Sequence, residues 1–160
     1  MPADWQERLT ALGLQLPAPA KPVAAYVPAV AHGDLVHVSG QLPLSGGEVA
    51  YRGCVGGELS IADGQAAARL CALGALAAAS AATPGGAADL MGVLRVEGFV
   101  QCAGDFHQQP QVINGASELL GALFPGAGHA RIAVGVAALP LDAAVEVAVT
   151  FLRRPSGARP

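Results

Sequence analysis

His129-Ala130-Arg131-Ile132-Ala133-Val134-Gly135-Val136-Ala137-Ala138-Leu139-Pro140 and, shortly after, Val145-Glu146-Val147-Ala148-Val149-Thr150-Phe151 bring this chain to its end. Alternation predicts two strands here, Arg131 to Ala138 and Val145 to Leu152. Each strand carries one charge, Arg131 or Glu146, and an ionised side chain in an apolar stretch is costly unless something pairs with it. Ile132, Val134 and Val136 share one face of the first strand, with Arg131, Ala133, Gly135 and Ala137 on the other. In the second, Val145, Val147, Val149 and Phe151 oppose Glu146, Ala148 and Thr150. Both charges are therefore expected on the small-residue face, where a cleft could form. A cation that grips a carboxylate and an acid that handles a proton or a water are minimum equipment for chemistry on a small carboxylic acid. A plain cross-strand ion pair is the alternative that the pattern leaves open.

Register separates the two. In a tight hairpin turning near Leu141, Arg131 would oppose Phe151 and Glu146 would lie about five residues away, roughly 16 Å at strand rise. That is too far for a direct pair or one small ligand. Either the strands are not neighbours or a second subunit completes the site.

Working back towards the N-terminus, Pro110 suits a first helical turn, and a helix is expected to run to about Leu123, ended by Pro125-Gly126. Met91 to Ala103 alternates as a strand, with Leu94, Val96 and Gly98 facing one way. Ser60 with Asp63 forms a capping box opening a long Ala-rich helix, Ile61 to Ala82. Its expected stripe is Leu70, Leu73 and Ala77 with Leu76 beside it, and Thr83-Pro84-Gly85-Gly86 stops it. Ser45-Gly46-Gly47 turns into a short strand at Glu48 to Tyr51. Ala24 to Val30 and Asp34 to Gly40 read as strands joined at His32-Gly33-Asp34. Pro17, Pro19 and Pro22 hold the chain extended. Asp4 and Glu7 suggest a capped helix to about Leu12, a lid or packing element. The pattern predicts one α+β layer domain over residues 1–160, with an N-terminal extension to residue 22 and a frayed tail from residue 153.

Composition bounds the partners. The chain has 160 residues and a formal charge of −3, which argues against a nucleic-acid scaffold with a basic face. Hydrophobic residues are 52% and charged residues 13%, apolar for a chain of this size. Much of the excess is Ala and Val, and no run of ~18 uninterrupted apolar residues suggests a membrane span. The surplus calls for a subunit interface. The first residues, Met1 to Glu7, lack a secretory pattern. Cys54, Cys71 and Cys102 are scattered, and both features fit a reducing cytoplasm. His32, His37, His107 and His129 have no metal-ligand spacing, so no metal is expected. His37 reads as a satisfied sheet residue and Cys71 as buried filler. Ser39-Gly40 at a strand end could offer a hydroxyl and an amide to a ligand, or be ordinary turn chemistry. There is no Gly-x-Ser-x-Gly elbow, and Gly46-Gly47 and Gly56-Gly57 lack a phosphate-loop lysine.

Several segments together resemble the RidA/YjgF superfamily of reactive-intermediate deaminases, also labelled L-PSP endoribonuclease-like. They are Tyr26-Val27-Pro28-Ala29-Val30, Val38-Ser39-Gly40-Gln41-Leu42-Pro43, the Gln65 to Leu73 helix, Val112-Ile113-Asn114, Ala130-Arg131, Leu139-Pro140 and Val145-Glu146-Val147. The chain departs from the common pattern at His129, Ile132 and Ala24-Ala25, in a longer stretch between Phe106 and Asn114, and in its N-terminal extension, as in a longer subgroup.

The resemblance implies a chorismate-mutase-like α+β fold with a mixed sheet and two helices on one face. It also implies a homotrimer with three ligand clefts between neighbouring subunits, and last strands that are not adjacent in the sheet. Arg131 would then come from one subunit, Glu146 and Ser39 from the next. The implied activity is hydrolytic deamination of small 2-imino acids or enamines to 2-keto acids and ammonia, without a cofactor. Arg131 would clamp the carboxylate and Glu146 would carry the proton. Ser39, Gly40 and Ala133 would hold the substrate, Tyr26 would wall the cleft and Asn114 would hold its frame. Two other classes stay open. One is a non-catalytic trimer that binds small carboxylates; the other is an endoribonuclease or translation inhibitor, for which the acidic composition offers no basic groove.

Overall fold

The computed structural model describes residues 4–21, 25–126 and 128–155. The chain builds α1 (Trp5–Ala11), β1 (Ala29–His32), β2 (Leu35–Gln41), β3 (Leu44–Ser45), β4 (Glu48–Val49), α2 (Ile61–Ala82), β5 (Leu90–Gln101), α3 (Gln109–Leu123), β6 (Ala130–Val136) and β7 (Val145–Arg153). Five strands form one mixed sheet in the order β1-β2-β7-β5-β6, in which β5 and β6 run parallel and the other neighbours antiparallel. The helix α3 makes the crossover between the parallel pair, as a parallel connection requires. Strand β5 separates β6 from β7, so the last two strands are not neighbours.

Local chemistry sets the helix ends where the sequence places them. The Ser60 hydroxyl accepts from the Asp63 amide at 3.1 Å, and the Asp63 carboxylate accepts from the Ser60 amide at 2.9 Å. At the other end the Thr83 hydroxyl donates to Gly86 O at 2.8 Å as the chain turns away. The buried side of α2 is mostly small residues, including Ala67, Ala68, Cys71, Ala72, Ala75, Ala78 and Ala79, with Leu76 as its large side chain. The expected Leu70 is only half-buried. Small residues let the helix lie close to Val36, Val38, Val147 and Val149 of the sheet. Its composition would also suit a membrane span, but 56% of its most apolar window is buried, as in a core helix. Where α2 meets α3, a Cβ at Gly115 would collide with the Gln65 backbone carbonyl, so only glycine allows this approach.

The N-terminal helix is a packing element. The Asp4 carboxylate accepts from the Glu7 amide at 2.9 Å, and the buried Trp5 donates its indole N–H to Ala87 O at 2.9 Å. Arg8 donates to Leu123 O at 2.7 Å, satisfying a carbonyl at the end of α3. Pro22 and Ala24 of the expected extended segment lie outside the described residues.

Several expectations are corrected. The first strand begins at Ala29, after a bend at residues 25–26, and not at residue 24. Leu94 does not share a face with Val96 and Gly98. A bulge places Val93 opposite Phe151 and Arg95 opposite Thr150, and the extra residue between them, Leu94, turns outward. Arg153, expected to open the frayed tail, is the last residue of β7, its side chain donating to Gly33 O at 2.8 Å, and residues 156–160 of that tail lie outside the described residues.

The most consequential correction concerns the two charges, which do not share a face. Both α2 and α3 cover one side of the sheet, where Val96, Gly98 and Val100 of β5 align with Val149, Val147 and Val145 of β7. Arg131 pairs with Val96 and Ala133 with Gly98, so the small-residue face of β6 points towards the helices. Glu146 pairs with Phe99 and points to the opposite, helix-free side. Branched residues follow the helices on β7, but on the edge strand β6 they turn away from them.

The helix-free face is a sequence of cross-strand rows. His37 stands beside Val30 and Thr150, Thr150 beside Arg95, Glu97 beside Ile132, and Phe99 between Glu146 and Val134. His37 is satisfied by Thr150 at 3.3 Å, and Arg95 pairs with Glu97 at 3.1 Å. Val30, Leu94, Ile132 and Val134 remain exposed.

Beyond the sheet end, Leu141 and Asp142 adopt left-handed backbone with φ of 56° and 59°. The buried Gln101 holds this turn from both ends of its amide, donating to the Asp142 carboxylate at 2.6 Å and accepting from Leu139 N at 2.7 Å.

Candidate functional site

Two clusters gather the residues singled out in the sequence. The first forms where α3 faces β6. Arg131 Nη1 donates to Asn114 Oδ1 at 2.8 Å and to Ser117 Oγ at 3.2 Å. Asn114 and Ser117 are three residues apart on α3, so they stand on one helix face and reach the same guanidinium. Ser117 Oγ is also 2.9 Å from His129 Nε2. Burial, and after it the Arg131 charge, pushes the His129 imidazole pKa down. Arg131 is half-buried, and its Nε and Nη2 have no partner among the described residues, nor is any carboxylate paired with it there. A guanidinium held through one nitrogen by neutral groups keeps a planar pair of donors for a carboxylate. Ala133 follows on the same face of β6, directly beside Gly98.

Glu146 is the centre of the second cluster, on the helix-free side. The β2–β7 register slips between Val38 and Gln41, so Ser39 and Gly40 form a bulge beside Ala148. A Cβ at Gly40 would fall on the Glu146 carboxylate, which therefore lies in a notch that glycine leaves open. Glu146 has no hydrogen bond or ion pair among the described residues, and burial raises its carboxyl pKa. Such a carboxyl binds a proton more readily than an exposed one, as a general acid-base group needs. The Ser39 hydroxyl donates to Val27 O at 2.7 Å and its amide to Pro28 O at 2.8 Å, tying the bulge to the segment that carries the exposed Tyr26.

Asn114 and Arg131 are thus brought together, as are Gly40 and Glu146, with Ser39 and Tyr26 beside the second pair. The two clusters are not brought together within one chain. Arg131 is level with Val96 and Glu146 with Phe99, three residues further along β5. That is about 10 Å along and two strand spacings, about 9.5 Å, across, so roughly 14 Å between backbones on opposite faces. Ser117 and His129 were missed as members of the Arg131 cluster. The available signal was the three-residue spacing from Asn114 to Ser117, which only matters once β6 is known to lie beneath α3.

Comparison with known proteins bears on the family. The model of the YjgF/chorismate mutase-like family, whose description adds an endoribonuclease label, matches residues 6–152. Protein TCP17 of Trypanosoma cruzi is 43% identical over 141 residues, 87% of this chain and 88% of that protein. The crystal structure of protein Atu1372 from Agrobacterium tumefaciens, described as of unknown function, shares 40% identity and superposes with a TM-score of 0.85, covering 94% of this chain and 92% of that one. RidA from an Antarctic Psychrobacter shares 27% identity with a TM-score of 0.57, covering 84% and 93%.

Proposed function

The chain belongs to the YjgF/chorismate mutase-like family, and from that premise we propose that it forms a homotrimer hydrolysing small 2-imino acids, or their enamine tautomers, to 2-keto acids and ammonia. The observation that carries the reading is Arg131, a half-buried guanidinium oriented by Asn114 and Ser117, with two nitrogens unengaged among the described residues. Its two remaining nitrogens offer the planar donor pair that a carboxylate accepts bidentately.

One chain holds its proton carrier too far from this cation to serve one small molecule. An assembly that packs the helix-free face of one copy against the open edge of β6 on the next would bring Glu146 to Arg131. Exposed Val30, Ile132 and Val134 on that face support such a contact. In the cleft Arg131 binds the carboxylate bidentately and fixes the imine carbon. Glu146 takes a proton from the attacking water as its oxygen bonds to that carbon, and passes it to nitrogen. The carbinolamine then loses ammonia as the carbonyl forms. Backbone groups at Gly40 and Ala133 hold the substrate, Ser39 supports the bulge and Tyr26 walls the cleft. An imine is already electrophilic, so orientation and one proton carrier suffice.

The test is acceleration of 2-iminobutyrate or 2-iminopropionate breakdown. Arg131→Ala should abolish it while the assembly stays folded, and equal rates in mutant and wild type would refute the assignment. Binding of 2-oxobutyrate with no turnover by wild type would identify a non-catalytic carboxylate-binding protein.

A further inference from the structure

We propose that His129 is a positioning residue that acts on Arg131 through Ser117 and makes the affinity of this site for anionic ligands depend on its own protonation. The inference rests on the reading of Arg131 as the carboxylate anchor and adds a regulating group to it.

Hydrogen-bond inventory carries the argument. Ser117 Oγ has one proton to give and lone pairs to accept with. Arg131 Nη1 can only donate, so at 3.2 Å the hydroxyl must accept from it. The hydroxyl proton is then free for His129 Nε2 at 2.9 Å, which accepts it when the imidazole is neutral and carries its proton on Nδ1. In that tautomer the chain His129←Ser117←Arg131 runs in one direction, and it sets the hydroxyl rotor so that a lone pair faces the guanidinium. Asn114 Oδ1 holds the same Nη1 from the neighbouring turn of α3.

Protonation reverses the first link. His129 would then donate to Ser117 Oγ, and the pocket would hold two positive charges. Without a ligand, burial of the ring and then repulsion from Arg131 oppose this state, in keeping with the lowered pKa. A bound carboxylate offsets the Arg131 repulsion, so by this proposal ligand binding raises the His129 pKa, and acid in turn tightens binding by the same factor. Among the described residues, Arg131 is the charged group that acts on His129. From α3 the ring meets the neutral Ser117, with Glu118 exposed beside it. On β5, Arg95 is level with Ala130 but faces the helix-free side, paired with Glu97.

The experiment measures 2-oxobutyrate binding calorimetrically from pH 5 to 8.5 for wild type, His129→Gln and Arg131→Ala. The keto acid stays ionised throughout, and any contribution from Glu146 is common to wild type and His129→Gln. Wild-type affinity should rise as pH falls, by about tenfold more than in His129→Gln if binding raises the imidazole pKa by one unit. Superimposable profiles for these two proteins would overturn the proposal while Arg131→Ala, failing to bind, upheld the anchor. If wild type does not bind 2-oxobutyrate, the anchor reading fails instead. The link to His129 is then judged by NMR titration of its ring without ligand: Arg131→Gln must raise the pKa and Ser117→Ala must change it. An unchanged titration in both variants would overturn the proposal.

Discussion

Gly40→Ala puts the proposed proton carrier to a clean steric test. Gly40 is not among the glycines in left-handed backbone, so alanine brings no conformational penalty of its own. Its new methyl would occupy the position of the Glu146 carboxylate, with the Glu146 Cδ 2.8 Å and Cγ 3.1 Å away. The obstructing atoms are the end of a flexible side chain, so the conflict is relieved by rotating Glu146 out of the notch. An off-optimal rotamer costs about 0.5–1.5 kcal/mol. At about 2–4 °C per kcal/mol for a chain of this size, the melting temperature should fall by only ~1–6 °C. The catalytic effect should be far larger, because displacing a reacting group by an ångström costs about 100-fold. The assay pairs differential scanning fluorimetry with steady-state hydrolysis of 2-iminobutyrate, and Glu146→Gln serves as the reference for a lost proton carrier. Gly40→Ala should approach that variant in rate with nearly wild-type melting. Full activity in Gly40→Ala would refute the claim that the notch sets the carboxyl for catalysis.

Gly115→Ala should behave in the opposite way, because its methyl meets the Gln65 backbone rather than a mobile side-chain end; overpacking of this kind costs about 1–3 kcal/mol or more and should appear as lowered melting. Trp5→Ala removes a buried ring 5.7 Å from Phe124 and the bond to Ala87 O, for a loss of about 3–5 kcal/mol readable by urea denaturation. Glu146 has its folded pKa raised, so the folded state holds the proton more tightly and loses stability as pH rises from the ordinary carboxylate range through the raised value. Glu146→Gln should therefore gain on wild type in melting temperature as pH rises across that window, and parallel pH–melting curves would contradict it. Ile132→Asp with Val134→Lys, on the exposed face of β6, should convert the assembly to monomers in light scattering and abolish turnover.

Elements fixed by neighbouring residues were legible in the chain. The Ser60–Asp63 box and the Thr83-Pro84-Gly85 stop delimit α2 by contacts within a few residues, so their spelling sufficed. Faces were harder. Alternation correctly grouped Arg131 with Ala133, and Glu146 with Thr150, but which group meets the helices depends on where each strand sits in the sheet. The edge position of β6 inverted the expected alignment, and a single bulged residue at Leu94 broke the phase of β5. The Arg131 cluster was half legible. Asn114 was singled out through its resemblance to a family pattern, whereas Ser117 and His129 acquire meaning only when α3 is laid along β6.

The turn held by Gln101 also governs the start of β7. Two consecutive non-glycine residues in left-handed backbone carry strain on the order of 1–3 kcal/mol each, and the Arg52 guanidinium adds a 2.6 Å grip on Leu141 O. A spring so firmly seated has one rest length. Glu146 lies four residues downstream of Asp142, so the depth at which its carboxyl enters the notch is metered by an amide at the far end of β5, and glutamate at residue 101 would turn that clasp into a repulsion.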